Sequence, residues 1–240
     1  MTQALVIGAT GDVGRGITAE LLKAGWKVMA VGRSAERLQA LHAEFKGLGA
    51  LDWQDGSVND ATAARALWRA VDRKAGAFDA VITSINGQLV ASPMATADAA
   101  VVREAFEANV VPHLVAAQTF IPALLAGAAY IAIGGGMADL VVPGRGAVSL
   151  CQAAQRMMFR YLALEMKDRG VRIHELMLYA MISGRSKVVT DNPHVLTEGD
   201  VGRHVVDVLN RPDLYSEPIL TLKPGKPSRV PSEGSQPGCA

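Results

Sequence analysis

Three glycines near the start of the chain have the spacing of a turn that binds phosphate. Gly8, Gly11 and Gly14 follow the apolar run 4–7, which is typical of a buried strand, and precede an amphipathic pattern over 13–24. In that setting the first glycine makes the tight turn, the second lets the backbone approach a pyrophosphate, and the third lets helix and strand pack closely. A dinucleotide would then lie at the amino end of the helix. The residues predicted to bind it in this turn are Gly8, Thr10, Gly11, Asp12, Val13 and Gly14.

The residues after the second predicted strand indicate which dinucleotide is bound. That strand covers 27–31, and Arg33 and Ser34 follow it without a carboxylate beside them. A carboxylate at this place would bind the ribose hydroxyls of NAD, whereas a guanidinium matches the 2′-phosphate of NADP. Arg33 and Ser34 therefore predict NADP(H). The alternative is an ordinary solvated arginine on a turn.

Strand and helix patterns alternate along the chain, which indicates repeated β-α-β units and a parallel sheet. The alternation continues to residue 222 without an internal repeat or a linker. The last residues are rich in proline, glycine and serine and have almost no apolar side chains, which predicts a mobile tail. We expect one α/β domain over residues 1–222, a doubly wound parallel sheet of about seven strands, followed by a flexible tail over 223–240.

Single residues predict where several helices begin or break. Ser34 is a suitable N-cap for the second helix, and Thr197 and Asp200 have the spacing of a capping box. Pro112 should bend or divide the long helical pattern over 98–125, because proline removes a backbone donor inside a helix.

Composition and charge exclude several classes of protein. The chain has 240 residues, of which 50% are hydrophobic and 20% charged, and its formal net charge is +1. The sequence has no basic run that would suggest binding to nucleic acid, and none of its apolar runs reaches the roughly 18 residues of a membrane helix. Cys151 and Cys239 have neither the number nor the spacing of a disulfide framework or a zinc site. We therefore expect no metal, no signal peptide and a cytoplasmic location.

The glycine spacing, Arg33 and the order of elements together resemble the short-chain dehydrogenase/reductase superfamily over about residues 4–222. The pattern Gly8-x-x-Gly11-x-x-Gly14 is similar to that of its extended and atypical branches. Asp12 stands where the common pattern Thr-Gly-x-x-x-Gly-x-Gly has its central glycine. The resemblance implies a single-domain Rossmann fold and an NADP(H)-dependent oxidoreductase that acts on a small organic molecule.

The resemblance also implies cofactor-binding residues beyond the glycine turn. Asp52, at the end of a third strand predicted over 49–52, resembles the family's aspartate beside the adenine. The run 84–87 takes the place of the family's Asn-Asn-Ala-Gly and keeps its glycine in register. The family's hydroxyl residue that touches the cofactor matches Ser183. The residues added in this way are Asp52, Trp53, Ser84, Ile85, Asn86, Gln152 and Ser183.

The residues that perform the family's chemistry are missing from the matching positions. The family uses a serine after the fifth strand and a Tyr-x-x-x-Lys on the next helix, where the tyrosine exchanges the proton and the lysine tunes it. With the run 164–170 aligned to the end of that helix, these positions are Gly135, Val148 and Gln152. Shifting the alignment does not help, because none of the four tyrosines is followed four residues later by lysine.

Three other residues are candidates for the chemistry. Asn109 matches the asparagine that holds a proton-relay water in the family, and Tyr179 replaces the family's Pro-Gly and would stand near the nicotinamide. His113 follows Asn109 by one helical turn and could face the same cleft. The alternatives are a polar residue on a helix surface for Asn109, an aromatic residue of a pocket or subunit contact for Tyr179, and a core histidine for His113.

Three functions remain open from the sequence. The first is an NADP(H)-dependent oxidoreductase that has an unusual acid or whose substrate needs no acid. The second is a catalytically silent NADP(H)-binding regulator, sensor or partner subunit. A non-redox isomerase or lyase on the same fold is the third, because a fold does not dictate a function. A small-molecule substrate or effector is expected in each case.

The two long helical patterns predict self-association. The patterns near 99–125 and 147–167 are apolar on more than one face, with Leu114 and Met157 among the apolar residues. A helix that covers a sheet needs only one apolar stripe, so a second stripe favours a partner. The family commonly pairs these two helices across a twofold axis, which implies a homodimer or homotetramer.

Overall fold

A computed structural model describes residues 2–87, 91, 93–189, 192 and 194–225. The strands in these ranges are β1 (Gln3–Ile7), β2 (Lys27–Gly32), β3 (Leu51–Asp55), β4 (Ala80–Thr83), β5 (Ala129–Gly135), β6 (Arg172–Leu178), β7 (Met181–Ser183), β8 (Val195–Thr197) and β9 (Ile219–Leu222). The helices are α1 (Asp12–Lys23), α2 (Ala35–Glu44), α3 (Ala61–Ala75), α4 (Ala99–Asn109), α5 (Val111–Phe120), α6 (Gly146–Glu165) and α7 (Glu198–Asn210). Of the tail predicted over 223–240, residues 226–240 lie outside the described part.

The main sheet is parallel and has seven strands in the order β3-β2-β1-β4-β5-β6-β9. The chain starts in the middle of this sheet, moves outward to β3, and returns past β1 to build the other half. The order therefore reverses between β1 and β4, and the connections that leave the carboxyl ends of these two strands go to opposite faces of the sheet, which leaves a crevice between them. The predicted single-domain, doubly wound fold is confirmed.

Helices bury both faces of the sheet. α1, α2 and α7 pack on one face, and α3, α5 and α6 pack on the other. In β5 the side chain of Ile131 points to the first layer and that of Tyr130 to the second, as the two-residue period of a strand requires. Both side chains are fully buried. Burial on both faces explains why the central strands are continuous apolar runs in the sequence.

The predicted helix boundaries agree with the structure in three places. Ser34 caps α2 by accepting a hydrogen bond from the Arg37 backbone N–H, and Thr197 and Asp200 form both bonds of the capping box that begins α7. The long pattern over 98–125 is divided into α4 and α5, with Pro112 in the first turn of the second helix. Proline fits there because the first backbone donors of a helix need no intrahelical acceptor.

Two features differ from the prediction or were missed. The third strand covers Leu51–Asp55, not 49–52, so its end lies three residues further along the chain. A second, two-stranded parallel sheet joins β7 to β8, with Met181 opposite Val195. These strands are only three residues long, which is too short for a hydrophobic period to stand out from the neighbouring loop.

The last helix packs closely on the first. A Cβ on Gly16 of α1 would overlap the Glu198 carbonyl oxygen, and a Cβ on Gly202 of α7 would overlap the Gly16 carbonyl oxygen. The segment after β7 is tied to the same helix, because Asp12 accepts hydrogen bonds from the Ser186 backbone N–H at 3.0 Å and from its hydroxyl. None of the helices in the described part of the chain has the length and apolar character to span a bilayer.

Candidate active site: a two-part cleft at the carboxyl edge

The glycine turn between β1 and α1 has the geometry that its spacing predicts. Gly8 has φ +88°, and a Cβ there would overlap the Ser84 carbonyl oxygen at the end of β4. A Cβ on Gly14 would overlap the Gly8 carbonyl oxygen, so α1 approaches the turn more closely than a larger residue allows. By contrast, a Cβ on Gly11 would meet only the Gly8 oxygen, at 3.6 Å. The space over Gly11 is open.

The amino end of α1 differs from that of four other helices. Side chains accept hydrogen bonds from first-turn N–H groups in α2, α3, α4 and α7. The N-cap of α1 is Gly11, which has no side chain to cap with. Because the first backbone donors of a helix need acceptors, and the helix dipole is positive at this end, an anion is the complementary partner.

A cavity of about 850 Å³ lies against this turn, between the ends of β1, β2 and β4. We call it the glycine-loop cavity. The predicted cofactor residues that line it are Gly8, Thr10, Gly11, Arg33, Ser34, Ser84, Ile85 and Asn86. Arg33 is exposed at its rim. Lining residues that were not predicted include Arg37, Ser57 and Asn59, and the Arg37 guanidinium donates to the Thr10 carbonyl oxygen at 2.8 Å.

A second cavity of about 520 Å³ adjoins the first and shares the wall Ser84, Ile85 and Asn86. We call it the β5 cavity. The other predicted residues that line it are Val13, Asn109, Gly135, Gln152 and Tyr179. Lining residues that were not predicted include Met137, Leu140, Cys151, Gln155 and Met181. They face the cavity from α6 and from the loops after β5 and β6, where an ordinary hydrophobic period does not distinguish a pocket wall from the core.

Asn109 holds the wall between the two cavities. Its side-chain oxygen accepts from the Gly87 backbone N–H at 2.7 Å, and its side-chain nitrogen donates to the Ala105 carbonyl oxygen at 2.9 Å. The residue is buried at the end of α4. The oxygen therefore positions the turn at 84–87, and the nitrogen anchors the side chain to its own helix.

Tyr179 reaches the β5 cavity, but its hydroxyl already has a partner. The hydroxyl donates to Asp139, whose carboxylate also binds the Arg156 guanidinium at 2.5 and 2.6 Å. The hydrogen bond to Asp139 is the main cause that raises the pKa of Tyr179 above its usual value. The Lys223 ammonium lies 4.9 Å from the centre of the tyrosine ring. The phenol is thus held protonated and directed toward Asp139.

The prediction that His113 faces the cleft is wrong. The ring is fully buried, lines neither cavity, and lies between the Thr83 hydroxyl at 3.4 Å and the Ile85 carbonyl oxygen at 3.1 Å. Burial lowers its pKa to about 4, so the imidazole is neutral. His113 packs on Phe159 and supports the turn after β4 from behind. The core histidine given as its alternative is what the structure contains.

Asp52 and Trp53 also lie away from the cleft, which corrects a second prediction. Both belong to the first half of β3, and Asp52 lies near Lys27 at the amino edge of the sheet. The strand continues to Asp55, which pairs with Gly32 at the carboxyl edge. Residues 56–59, directly after Asp55, line the glycine-loop cavity. The error came from ending the strand three residues too early.

Four further predicted residues line neither cavity. Asp12 binds Ser186, Gly14 is covered by the turn that it packs against, and the Ser183 hydroxyl accepts from the Val189 backbone N–H at 3.0 Å. Val148 is partly buried in α6, one turn before Gln152. The contributions of Asp12, Gly14 and Ser183 are therefore structural in this conformation.

Three consecutive glycines at the end of β5 leave room for polar side chains from elsewhere. A Cβ on Gly134 would overlap the Glu175 carboxylate, one on Gly135 would overlap the Gln152 amide, and one on Gly136 would lie 2.5 Å from the Tyr179 ring. Glu175 is fully buried in β6, and neither of its oxygens has a hydrogen-bond partner. Burial raises the pKa of its carboxyl to about 8. Glu175 was not among the predicted residues, because it lies within a strand of otherwise ordinary pattern.

The cleft lies at the carboxyl edge of a doubly wound parallel sheet, at the point where the strand order reverses, with a glycine turn and a helix amino end beneath it. This arrangement defines a dinucleotide-binding α/β fold. A family model described as short chain dehydrogenase matches residues 2–193. The chain belongs to the short chain dehydrogenase family.

Individual relatives share the fold at low sequence identity. An alcohol dehydrogenase from the archaeon Thermococcus sibiricus, solved with 5-hydroxy-NADP, is 20% identical with a TM-score of 0.82 and covers 95% of this chain and 100% of its own. A short chain dehydrogenase from Burkholderia cenocepacia J2315, solved with NADP, is 20% identical with a TM-score of 0.80 and covers 92% and 96%.

One curated relative is similar over a shorter stretch. An uncharacterized oxidoreductase from Myxococcus xanthus (strain DK1622) is 37% identical over 82 residues, which are 34% of this chain and 32% of that protein. The match therefore spans about a third of the length of that relative.

Proposed function

We propose that the chain is an NADP(H)-dependent oxidoreductase that transfers hydride to or from a small organic substrate without the usual tyrosine–lysine pair. The glycine-loop cavity carries this proposal, because it combines an open glycine, an uncapped helix amino end and an exposed arginine. The family, the name of the Myxococcus relative and the NADP compounds in the two related structures support it.

The residues in place fit the cofactor. The open space over Gly11 and the free amino end of α1 suit a pyrophosphate, and Arg33 at the cavity rim suits a 2′-phosphate. Asn86 and Gln152 would lie toward the nicotinamide, since they line the β5 cavity. When bound, the nicotinamide supplies or accepts a hydride.

The chain's own contribution to the reaction would be shape and orientation. The positions that carry the serine, tyrosine and lysine in the family hold Gly135, Val148 and Gln152, none of which can ionise. Tyr179 is engaged with Asp139. Holding a substrate against the nicotinamide in a reactive geometry still provides part of the rate, even where general acid catalysis is weak.

A catalytically silent NADP(H)-binding sensor or partner subunit is the second candidate. The link from Tyr179 through Asp139 to Arg156 favours it, because that link occupies the one phenol in the β5 cavity with a structural task. A bound dinucleotide would then change the surface around Asp139, which a partner could recognise.

We further propose that the chain is a homodimer or homotetramer in the cytoplasm. α6 exposes a stripe of large apolar residues, namely Leu150, Met157, Tyr161 and Leu164, and Leu114 of α5 is also exposed. Exposed apolar stripes of this kind are typical of contact surfaces. Light scattering at micromolar protein concentration tests the proposal, and a monomer mass contradicts it.

Titration of NADPH and NADH against the wild type and Arg33→Ala tests the cofactor assignment. We expect tighter binding of NADPH, and we expect Arg33→Ala to cost about 1.5–3 kcal/mol for NADPH only, the scale of a charged hydrogen bond. Arg65→Ala, which removes an exposed arginine of α3 outside both cavities, is the matched control. Equal affinities of the wild type for the two cofactors would contradict the assignment.

Consumption of NADPH with a panel of ketones, enones and imines separates the enzyme from the sensor. Turnover of any member at a rate above the background supports an oxidoreductase. Tight NADPH binding with no turnover across the panel supports the silent protein.

A further inference from the structure

Buried side-chain oxygens without a hydrogen-bond partner lie next to the glycine run that lines the β5 cavity. The buried side-chain oxygens there without a partner are Gln152 Oε1 and both oxygens of Glu175. Gln152 lines the cavity, and its Oε1 lies where a Cβ on Gly135 would stand, whereas Glu175 lies behind the lining, with its Oε1 where a Cβ on Gly134 would stand. A buried polar atom without a partner is costly, so these oxygens call for a donor or a positive charge.

This set of groups is the reverse of what a carbonyl substrate needs. A ketone that accepts hydride develops negative charge on oxygen and requires hydrogen-bond donors around it. Val148 and Gly135 offer none, and Gln152 replaces an ammonium with a neutral amide. The unpaired Gln152 Oε1, together with a carboxyl group that a nearby cation can cause to ionise, is complementary to the opposite case, in which the reacting group is a cation with an N–H bond.

We infer that the β5 cavity takes a substrate whose reacting group is an iminium ion, with Glu175 balancing its positive charge and Gln152 Oε1 accepting from its N–H. The inference rests on the proposed oxidoreductase function and names its substrate class. The iminium carbon gains the hydride, the π pair of the C=N bond becomes the nitrogen lone pair, and NADPH becomes NADP⁺. No proton is consumed, so the absence of the tyrosine acid costs nothing in this step.

The surroundings of Glu175 suit a group that ionises when a cation arrives. Its backbone neighbours across the sheet are Ala132 of β5 and Ile219 of β9, which carry no charge. The guanidinium of Arg156, on α6, acts on it from the helix layer but is already bound to Asp139. Burial keeps the pKa of Glu175 at about 8, and a cation beyond Gly134 would lower that pKa and leave a carboxylate facing it.

The rest of the cavity suits the apolar body of such a substrate. Met137, Leu140 and Met181 also line it. Methionine side chains adapt to irregular apolar shapes. A small cyclic imine with an attached hydrocarbon ring therefore matches both parts of the wall.

The test compares three bicyclic compounds of the same size with NADPH: 3,4-dihydroisoquinoline, its N-methyl iminium ion, and the ketone 1-tetralone. We expect kcat/KM for the two nitrogen compounds to exceed that for tetralone at least a hundredfold. Gln152→Leu should lower kcat/KM more for dihydroisoquinoline, which has an N–H when protonated, than for the N-methyl ion. The comparison of the three compounds uses the wild type alone, so its main result does not depend on whether a variant folds.

The pH profile tests Glu175 itself. The N-methyl ion has a fixed charge, so its kcat/KM should rise as pH increases through about 8, where the free Glu175 ionises. Glu175→Gln should remove that rise and lower kcat/KM at high pH at least tenfold. Calorimetric binding of the product-like tetrahydroisoquinolinium cation should weaken by a similar factor. Glu165→Gln, at the exposed end of the same helix as Gln152, should change neither quantity.

The outcomes separate the two proposals. Failure to bind NADPH refutes the proposed function and this inference together. If NADPH binds, three results would each overturn the inference alone. These are reduction of tetralone as fast as the imines, no reduction of any imine, and a pH profile of Glu175→Gln that is the same as that of the wild type.

Discussion

The glycine-loop cavity and the β5 cavity share one wall but are built by different means. In the glycine-loop cavity the decisive groups belong to the backbone, namely the turn around Gly8 and Gly11 and the amino end of α1. In the β5 cavity they are side chains from α6, β6 and the loops after β5 and β6. A site made of backbone constrains the sequence to glycine at a few positions, whereas a site made of side chains can be altered one residue at a time. The family's cofactor pattern is therefore recognisable here although its catalytic residues are replaced.

The largest effect is expected from Gly14→Ala. Its Cβ would overlap the Gly8 carbonyl oxygen, a backbone atom that can move only with the turn, so the free energy of unfolding should fall by about 4 kcal/mol or more. Chemical denaturation monitored by circular dichroism measures the change.

Gly11→Ala is the matched control, because its Cβ would be in ordinary contact at 3.6 Å. We expect stability within about 1 kcal/mol of the wild type, while NADPH binding weakens at least tenfold as the methyl group fills the space for the pyrophosphate. Equal destabilisation by the two variants would show that the turn is not built as described.

The second-largest effect is expected from the protonation of His113. This histidine supports the wall that the cavities share, through the Ile85 carbonyl oxygen. Its pKa is lowered from 6.5 to about 4 by burial, so the unfolded chain binds the proton first as pH falls. Stability from His113 is present above pH 6.5 and is lost between about 6.5 and 4, by about 3 kcal/mol in total. Urea denaturation of the wild type and His113→Gln between neutral pH and pH 4.5 measures the loss.

The His113→Gln variant is needed because the Glu175 carboxyl changes the stability of the wild type with pH in the opposite direction. Its pKa is raised from 4.5 to about 8, so its contribution to stability is present below pH 4.5 and is lost as pH rises through about 8. His42→Gln, which changes an exposed histidine of α2, should leave the pH dependence as in the wild type. If His113→Gln also leaves it unchanged, the histidine is not neutral in the folded chain.

A smaller effect is expected from restoring the family's catalytic residues beside the β5 cavity. Val148→Tyr with Gln152→Lys restores an acid and its tuning group one helical turn apart on α6. Reduction of simple ketones such as 1-tetralone should increase about a hundredfold, the scale of general acid catalysis. NADPH consumption measures the rate, and Val148→Phe with Gln152→Met fills similar space without the proton. A gain of the same size in that control would mean that packing, not chemistry, limits the wild type.

How much of the molecule the sequence predicts depends on how local the signal is. Ser34, the Thr197–Asp200 box and the glycine turn are each specified by a few neighbouring residues, and all have the predicted geometry. The parallel sheet with helices on both faces follows from the alternation of elements and the rule that parallel strands need crossovers.

Features that depend on distant packing could not be read in the same way. The end of β3 was misplaced because Trp53 and Gln54 carry no clear alternation, and the adenine-side residue was therefore expected at Asp52, whereas residues 56–59 line the cavity. His113 is polar but lies in the core because Thr83 and Ile85, about 30 positions earlier in the chain, provide its partners. Glu175 and Gly134 form one feature only when β5 and β6 are side by side.

The contact between α1 and α7 has a consequence for synthesis. α1 is made long before α7, the helix that covers it, and Ser186, the partner of Asp12, follows Asp12 by 174 residues. Contacts so distant in sequence form late, because closing a long loop must precede any gain from it. The face of α1 that α7 covers therefore stays exposed until α7 has been synthesised. During this interval the incomplete domain exposes surface that the finished fold buries, and a chaperone can shield it.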